Sequence, residues 1–151
     1  MGCIFCDIAA GHREASLVYA DGSCLAFMDI HPVSRGHVLV VPRRHAARLQ
    51  ALEDDERAVL FRAAGRVLDA AIRSGFARDG ANLLLNDGAA AGQHVPHLHL
   101  HVVPRRRGDR FRIPWRLAQR ALGRFGAARS VSSLESDAAA LRQAMQGDAP
   151  A

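Results

Sequence analysis

Lysine is absent from this 151-residue chain: all 20 of its basic residues are arginine, against 15 acidic ones, for a formal charge of +5. In an alanine-rich chain that replacement reads as drift of a GC-rich coding sequence, so the positive charge alone does not argue for nucleic acid. Arginine still forks onto phosphate better than lysine, which keeps anionic ligands in view. Cysteine is scarce and odd in number, at Cys3, Cys6 and Cys24, which argues against a disulfide framework. No apolar run approaches the ~20 residues needed to span a bilayer. Met1 to Asp7 also lacks the basic and apolar regions of a secretory leader. A cytoplasmic protein without membrane association is therefore expected. With 49% hydrophobic residues, the chain can bury a proper core as a single domain.

Five segments read as strands, near Ser16–Ala20, Cys24–Ile30, His37–Val41, Ala81–Asn86 and His97–Val103. Asp21-Gly22 marks a hairpin turn between the first two. One long helix is expected from about Leu52 to Ser74, opened by Glu53, Asp54, Asp55 and Glu56 and stopped by Gly75. Its buried stripe is expected at Leu60, Ala64, Val67, Ala71 and Ile72. A short amphipathic helix precedes the first strand. Ser132-Ser133-Leu134-Glu135 looks like a capping box opening a last helix to about Gln146. Hairpin, strand, helix and two further strands give an α+β domain with an antiparallel sheet.

The chemistry concentrates in His97-Leu98-His99-Leu100-His101-Val102-Val103. In an extended strand the three imidazoles share one face, roughly 7 Å apart, while Leu98, Leu100 and Val102 face a core. Such a row offers nucleophiles, proton carriers or metal ligands. Cys3-Ile4-Phe5-Cys6 has the spacing of half a zinc site. Cys24, inside an apolar strand, reads as a small buried hydrophobe. His12 and His31 belong to no motif and read as surface residues.

With its preceding turn, Gly92-Gln93-His94-Val95-Pro96, the histidine strand resembles the histidine triad (HIT) family, as do Cys3–Ile8, Leu25–Ile30 and Arg35–Pro42. The resemblance covers residues 3–110; residues 111–151 form a basic segment and a helix expected to pack on the same domain. It implies a HIT-like α+β fold with about five antiparallel strands, dimeric through the long helices and an edge strand. It also implies a purine nucleotide substrate, cleaved at the α-phosphate of phosphoramidates or dinucleoside polyphosphates through a nucleotidyl-histidine. His99 matches the nucleophile, His101 a donor to the phosphoryl oxygens, and His37 a supporting histidine. Phe5, Ile30 and Leu39 match the base pocket, Asp29 the ribose carboxylate, and Asn86 and Gln93 the ribose-phosphate contacts. By strand periodicity Phe27 shares a face with Asp29, so that one surface could hold sugar and base together. In zinc-containing members a structural Zn²⁺ is held by positions matching Cys3, Cys6, His45 and His97.

Two features depart from the pattern or lie beyond it. His94 stands where relatives carry Ser or Thr, and an imidazole there is a substitute donor or general acid. The segment Arg105–Arg112 has three readings: a site for distal phosphates, a nucleic-acid face, or, as expected here, plain solvated surface. No nucleic-acid-binding module is recognisable. Two other functions compete with hydrolysis: a non-catalytic nucleotide-binding or scaffold protein, and a metal-binding protein that uses the histidines as a chelate.

Overall fold

The computed structural model describes residues 2–147; the end of the 111–151 segment, from residue 148, lies outside them. A one-and-a-half-turn helix α1 (Ile4–Ala9) leads into β1 (Leu17–Ala20), β2 (Cys24–Met28) and β3 (Val38–Pro42). The long helix α2 (Asp54–Arg73) follows, then β4 (Ala81–Leu85) and β5 (Leu100–Pro104), and finally α3 (Arg112–Ala121) and α4 (Val131–Gln146). The five strands form one antiparallel sheet in the order β1-β2-β3-β5-β4. Among the described residues no helix is long and apolar enough to cross a membrane.

Strand alternation sorts the sheet into two faces. Cys24, Ala26, Met28, Val38, Val40, Leu100 and Val102 join Leu60, Ala63, Ala64 and Val67 of α2 and Leu134, Ala138 and Leu141 of α4 in the main core. On the opposite face Leu25, Phe27, Leu39 and Val41 pack against Phe5 of α1. α2 begins where expected: the Glu53 N–H donates to Glu56 Oε2 at 2.9 Å, and Arg44 clamps that same carboxylate. Gly75 (φ +76°) ends the helix in the left-handed region that glycine alone adopts freely.

Local expectations shift in several places. Ile72 is not in the buried stripe but 53% exposed; Ala63 and Ala70 complete the stripe instead. The last helix starts earlier than Ser132, because the Ser130 hydroxyl accepts the Ser133 N–H as its cap. The histidine strand joins the ladder only from Leu100, since Leu98 N–H goes to the Ala46 carbonyl. Arg105–Arg112 is mostly solvated surface, as expected, and only Arg105 and Asp109 turn inward. Arg105 is half-buried, bonded to Asp109 and Asn82, and Arg107 pairs with Asp79, so the segment closes the end of β5. Pro114 lies in the first turn of α3, where no intrahelical N–H bond is lost.

Candidate active site and metal centre

Register across the sheet builds the floor of a cavity. Phe27 pairs with Leu39, Leu39 with His101, and His101 with Leu84, so four side chains stand in one row across four strands. All four line a cavity of about 570 Å³, together with Phe5, Asp29, Ile30, Asn86, His94 and His99. One half is apolar, with the Phe5 ring edge-on to Phe27 and to His99, centroids 5.4 Å apart in each case.

Hydrogen bonds fix the tautomer of every buried imidazole here. The Val33 N–H can only donate, and it points to Nδ1 of His37 at 3.3 Å. The His37 proton therefore sits on Nε2 and is donated to Nδ1 of His101 at 3.0 Å. His101, in turn, carries its proton on Nε2. His99 is set the opposite way: Nδ1–H donates to the His97 carbonyl at 2.8 Å, which leaves the Nε2 lone pair free. The cavity thus meets one imidazole through a free lone pair and its neighbour, 4.9 Å away between ring centres, through an N–H.

Burial keeps these rings neutral. It lowers the His99 pKa and pushes His37 down to about 4, against the pull of Asp29. His101 is lowered by burial and then by His37, His99 and Arg120. His37 Nδ1 lies 3.6 Å from Asp29 Oδ2, but with a neutral ring and its lone pair taken by Val33 this is no ion pair at neutral pH.

Asp29 is 3% exposed. Its Oδ1 accepts the His31 N–H at 2.8 Å. Oδ2 lies 2.8 Å from Arg120 Nη2, but no N–H is aligned on it, so this oxygen is a buried acceptor without a hydrogen bond. Burial would raise the Asp29 carboxyl; His37, Arg120 and the His31 amide hold it below its ordinary value. The result is a buried carboxylate on the cavity wall, ion-paired with Arg120.

His97 leaves the cavity to its neighbours and turns to the N-terminus. Its Nε2–H donates to the Pro42 carbonyl at 2.8 Å, and its Nδ1 lies 3.4 Å from Cys3 Sγ and 3.5 Å from Cys6 Sγ. His45 Nδ1 lies 3.3 Å from Cys6 Sγ. The four ligand atoms fall within 4.8 Å of one another. A tetrahedral zinc, with Zn–S near 2.3 Å and Zn–N near 2.0–2.1 Å, needs ligand atoms about 3.3–3.8 Å apart. Two sulfurs, two imidazole lone pairs and a backbone carbonyl orienting His97 fit that ion well.

Most of the expected site residues meet at one place, though not all of them face into the cavity in the expected way. Ile30 is at the rim, 41% exposed. His37 acts from behind His101. Gln93 is not on the cavity wall: its Oε1 accepts the Gly88 N–H and its Nε2 donates to the Ala47 carbonyl, so its amide holds the loop. His94 lines the cavity, but its Nε2–H is donated to the Arg120 carbonyl at 2.8 Å. A neutral His94 therefore has no proton to offer a leaving group. Sequence reasoning missed Arg120, Leu117 and Phe125, all on the wall, and set His31 aside as surface. The single signal pointing to them was the amphipathic spacing of Ile113, Leu117 and Arg120 around Pro114.

Comparison with known proteins gives a consistent result. The HIT domain family model matches residues 10–108. The chain is 42% identical over 107 residues to an uncharacterized HIT-like protein of Methanocaldococcus jannaschii, covering 71% of this chain and 81% of that one. It is 36% identical over 105 residues to an adenosine 5′-monophosphoramidase of Schizosaccharomyces pombe, covering 70% and 75%. A Zn-bound histidine triad family protein from Mycobacterium smegmatis superposes with a TM-score of 0.80 at 36% identity, covering 97% and 95% of the two chains.

Proposed function

The chain belongs to the HIT family, and from that premise we propose that it is a nucleotide hydrolase acting through a nucleotidyl-histidine. The observation that carries this reading is the paired tautomer setting of His99 and His101, lone pair beside proton. Nε2 of His99 attacks the α-phosphorus of a purine nucleotide, and the bond from phosphorus to the leaving group breaks with its electron pair. His101 Nε2–H donates to a phosphoryl oxygen as charge develops on it. Water then attacks phosphorus, releases one proton to solvent and returns the electron pair to Nε2, freeing the nucleoside monophosphate. Phe5, Phe27, Leu39 and Ile30 hold the base, and the Asp29 carboxylate accepts a ribose hydroxyl. Asn86 contacts the ribose-phosphate, Gln93 keeps the 88–93 loop against it, and His94 borders the leaving group. The phosphoramidase relative supports this substrate class.

Zinc, held by Cys3, Cys6, His45 and His97, supplies a closed structural tie between the N-terminus and the triad strand. The Zn-bound neighbour supports it. The same reading carries a homodimer, since Phe61 and Ile72 on α2 and Leu83 on the edge strand β4 are exposed apolar residues.

Intact mass tests the mechanism. Incubation with adenosine 5′-phosphoramidate or diadenosine tetraphosphate, followed by rapid acid-free trapping, is expected to add one adenylyl group, lost in His99→Ala. The His99→Ala protein is expected to bind AMP still. Measurable AMP binding without adduct or product in the wild type would favour a binding or scaffold role instead.

A further inference from the structure

Behind α3 lies a second cavity, of about 830 Å³, whose wall contains Arg35, Arg116, Arg120, Arg124 and Arg129 and a single carboxylate, Asp137. Asp137 neutralises Arg35 through two hydrogen bonds at 2.9 and 2.7 Å. Arg116 donates to the Val33 carbonyl and Arg129 to the Ser133 carbonyl, partners that leave a guanidinium its full charge. Arg124 has no partner among the described residues. Compositional drift explains why these residues are arginine and not lysine. It does not explain their grouping: Arg120 is paired with the buried Asp29 and Arg35 with Asp137, yet Arg116, Arg124 and Arg129 remain on this wall with no carboxylate to balance them. Like charges gathered in one concavity repel unless an anion joins them. The first turn of α4, through Ser133, adds the positive end of a helix to the same wall.

The two cavities are neighbours. They share Arg120, Phe125 and His31. The Phe125 ring sits 4.9 Å from His94 and 5.2 Å from His31, with the Arg120 guanidinium 5.3 Å from its centre. Resting on the hydrolase reading above, we propose that the arginine-lined cavity is a second subsite that receives the phosphate chain of the leaving group, which makes dinucleoside polyphosphates preferred substrates over phosphoramidates.

The leaving-group chemistry agrees with the site. An amine must take up a proton as its bond to phosphorus breaks, and the His94 N–H is committed to the Arg120 carbonyl. A polyphosphate leaves with the electron pair of the broken P–O bond as an anion. It needs positive charge and no proton.

The test compares kcat/KM for diadenosine tetraphosphate and adenosine 5′-phosphoramidate in the wild type, Arg124→Glu and Arg124→Lys, with calorimetric binding of inorganic tripolyphosphate in parallel. Arg124 is exposed and unpartnered, so neither variant disturbs folding. Arg124→Glu is expected to lower kcat/KM for the tetraphosphate by about tenfold or more, and for the phosphoramidate by less than about twofold. Arg124→Lys is expected to keep most of the tetraphosphate activity. Tripolyphosphate should bind the wild type, bind Arg124→Glu more weakly, and leave AMP binding intact. Equal losses on both substrates, or none on either, would overturn the proposal. Tripolyphosphate binding that depends on Arg124 while both substrates react normally would assign the cavity to a free anion, and tighter binding of an oligonucleotide would assign it to nucleic acid; either overturns the leaving-group role. A wild type that hydrolyses neither substrate yet binds tripolyphosphate through Arg124 would sink the hydrolase reading and the leaving-group role together, leaving an anion site.

Discussion

Replacing His37 with Leu removes a group that touches no substrate, and it is expected to cost both activity and stability. In the native protein this ring is fully buried between the Val33 amide and His101. Leucine leaves the Val33 N–H and the Nδ1 lone pair of His101 unpaired in the interior. At about 1–3 kcal/mol for each unpaired buried group, the expected loss of unfolding free energy is about 2–6 kcal/mol. The proton of His101 is then no longer confined to Nε2, because nothing donates to Nδ1. Losing one preorganised donor to a developing phosphoryl charge lowers kcat by roughly 10²–10³. KM for the nucleotide should move little, since Phe5, Phe27, Leu39 and Asp29 stay in place. His37→Gln separates the two effects, because its side-chain amide reaches the His101 Nδ1 with an N–H. Its kcat is expected within about tenfold of wild type. The assay is steady-state kinetics beside urea unfolding, with ¹⁵N chemical shifts of His101 reporting its tautomer directly. A Leu variant with wild-type kcat, or a wild-type His101 protonated on Nδ1, would refute the relay.

The metal centre and the buried histidines make two further predictions. Purified protein is expected to carry about one zinc per chain, and Cys3→Ala to lose it with a fall in Tm of about 10 °C or more, read by atomic absorption and calorimetry; an equally stable metal-free wild type would end that assignment. The folded-state pKa of His37, about 4, lies below the unfolded value of 6.5, so the fold favours the neutral ring. Its contribution is whole above pH 6.5 and is lost as pH falls through 6.5 toward 4, amounting to ~2–3 kcal/mol at pH 4.5. Urea midpoints at pH 7.5 and 4.5, measured in Cys3→Ala so that zinc cannot contribute, should show that loss, and His37→Gln in the same background should show it diminished.

Much of the site was legible because its signals are local. Two-residue spacing put His99 and His101 on one side of the sheet and Leu98, Leu100 and Val102 in the core, and that periodicity is a property of the extended backbone itself. The acidic first turn and Gly75 likewise bounded α2 from short-range geometry. The family resemblance added the roles of His37 and Asp29 and the pairing of a C-x-x-C with distant histidines, which no local pattern contains.

Tertiary structure decided the rest. His97 and His99 are two residues apart, yet one ring turns to the cysteines and the other to the cavity, because the chain departs from the ladder at Leu98 to bond Ala46. Ile72 matches the helical period as well as Ala71 does, but α2 meets its partners along a narrower stripe. Asp29 and Arg120 are 91 positions apart, and only the docking of α3 against the 31–33 turn brings that charge over the triad. The sequence by itself determined which residue types share a strand face or a helix turn, since residue type and backbone period are written locally. Which of them face substrate, metal or one another was settled by contacts between distant segments, and those depend on how the whole chain packs.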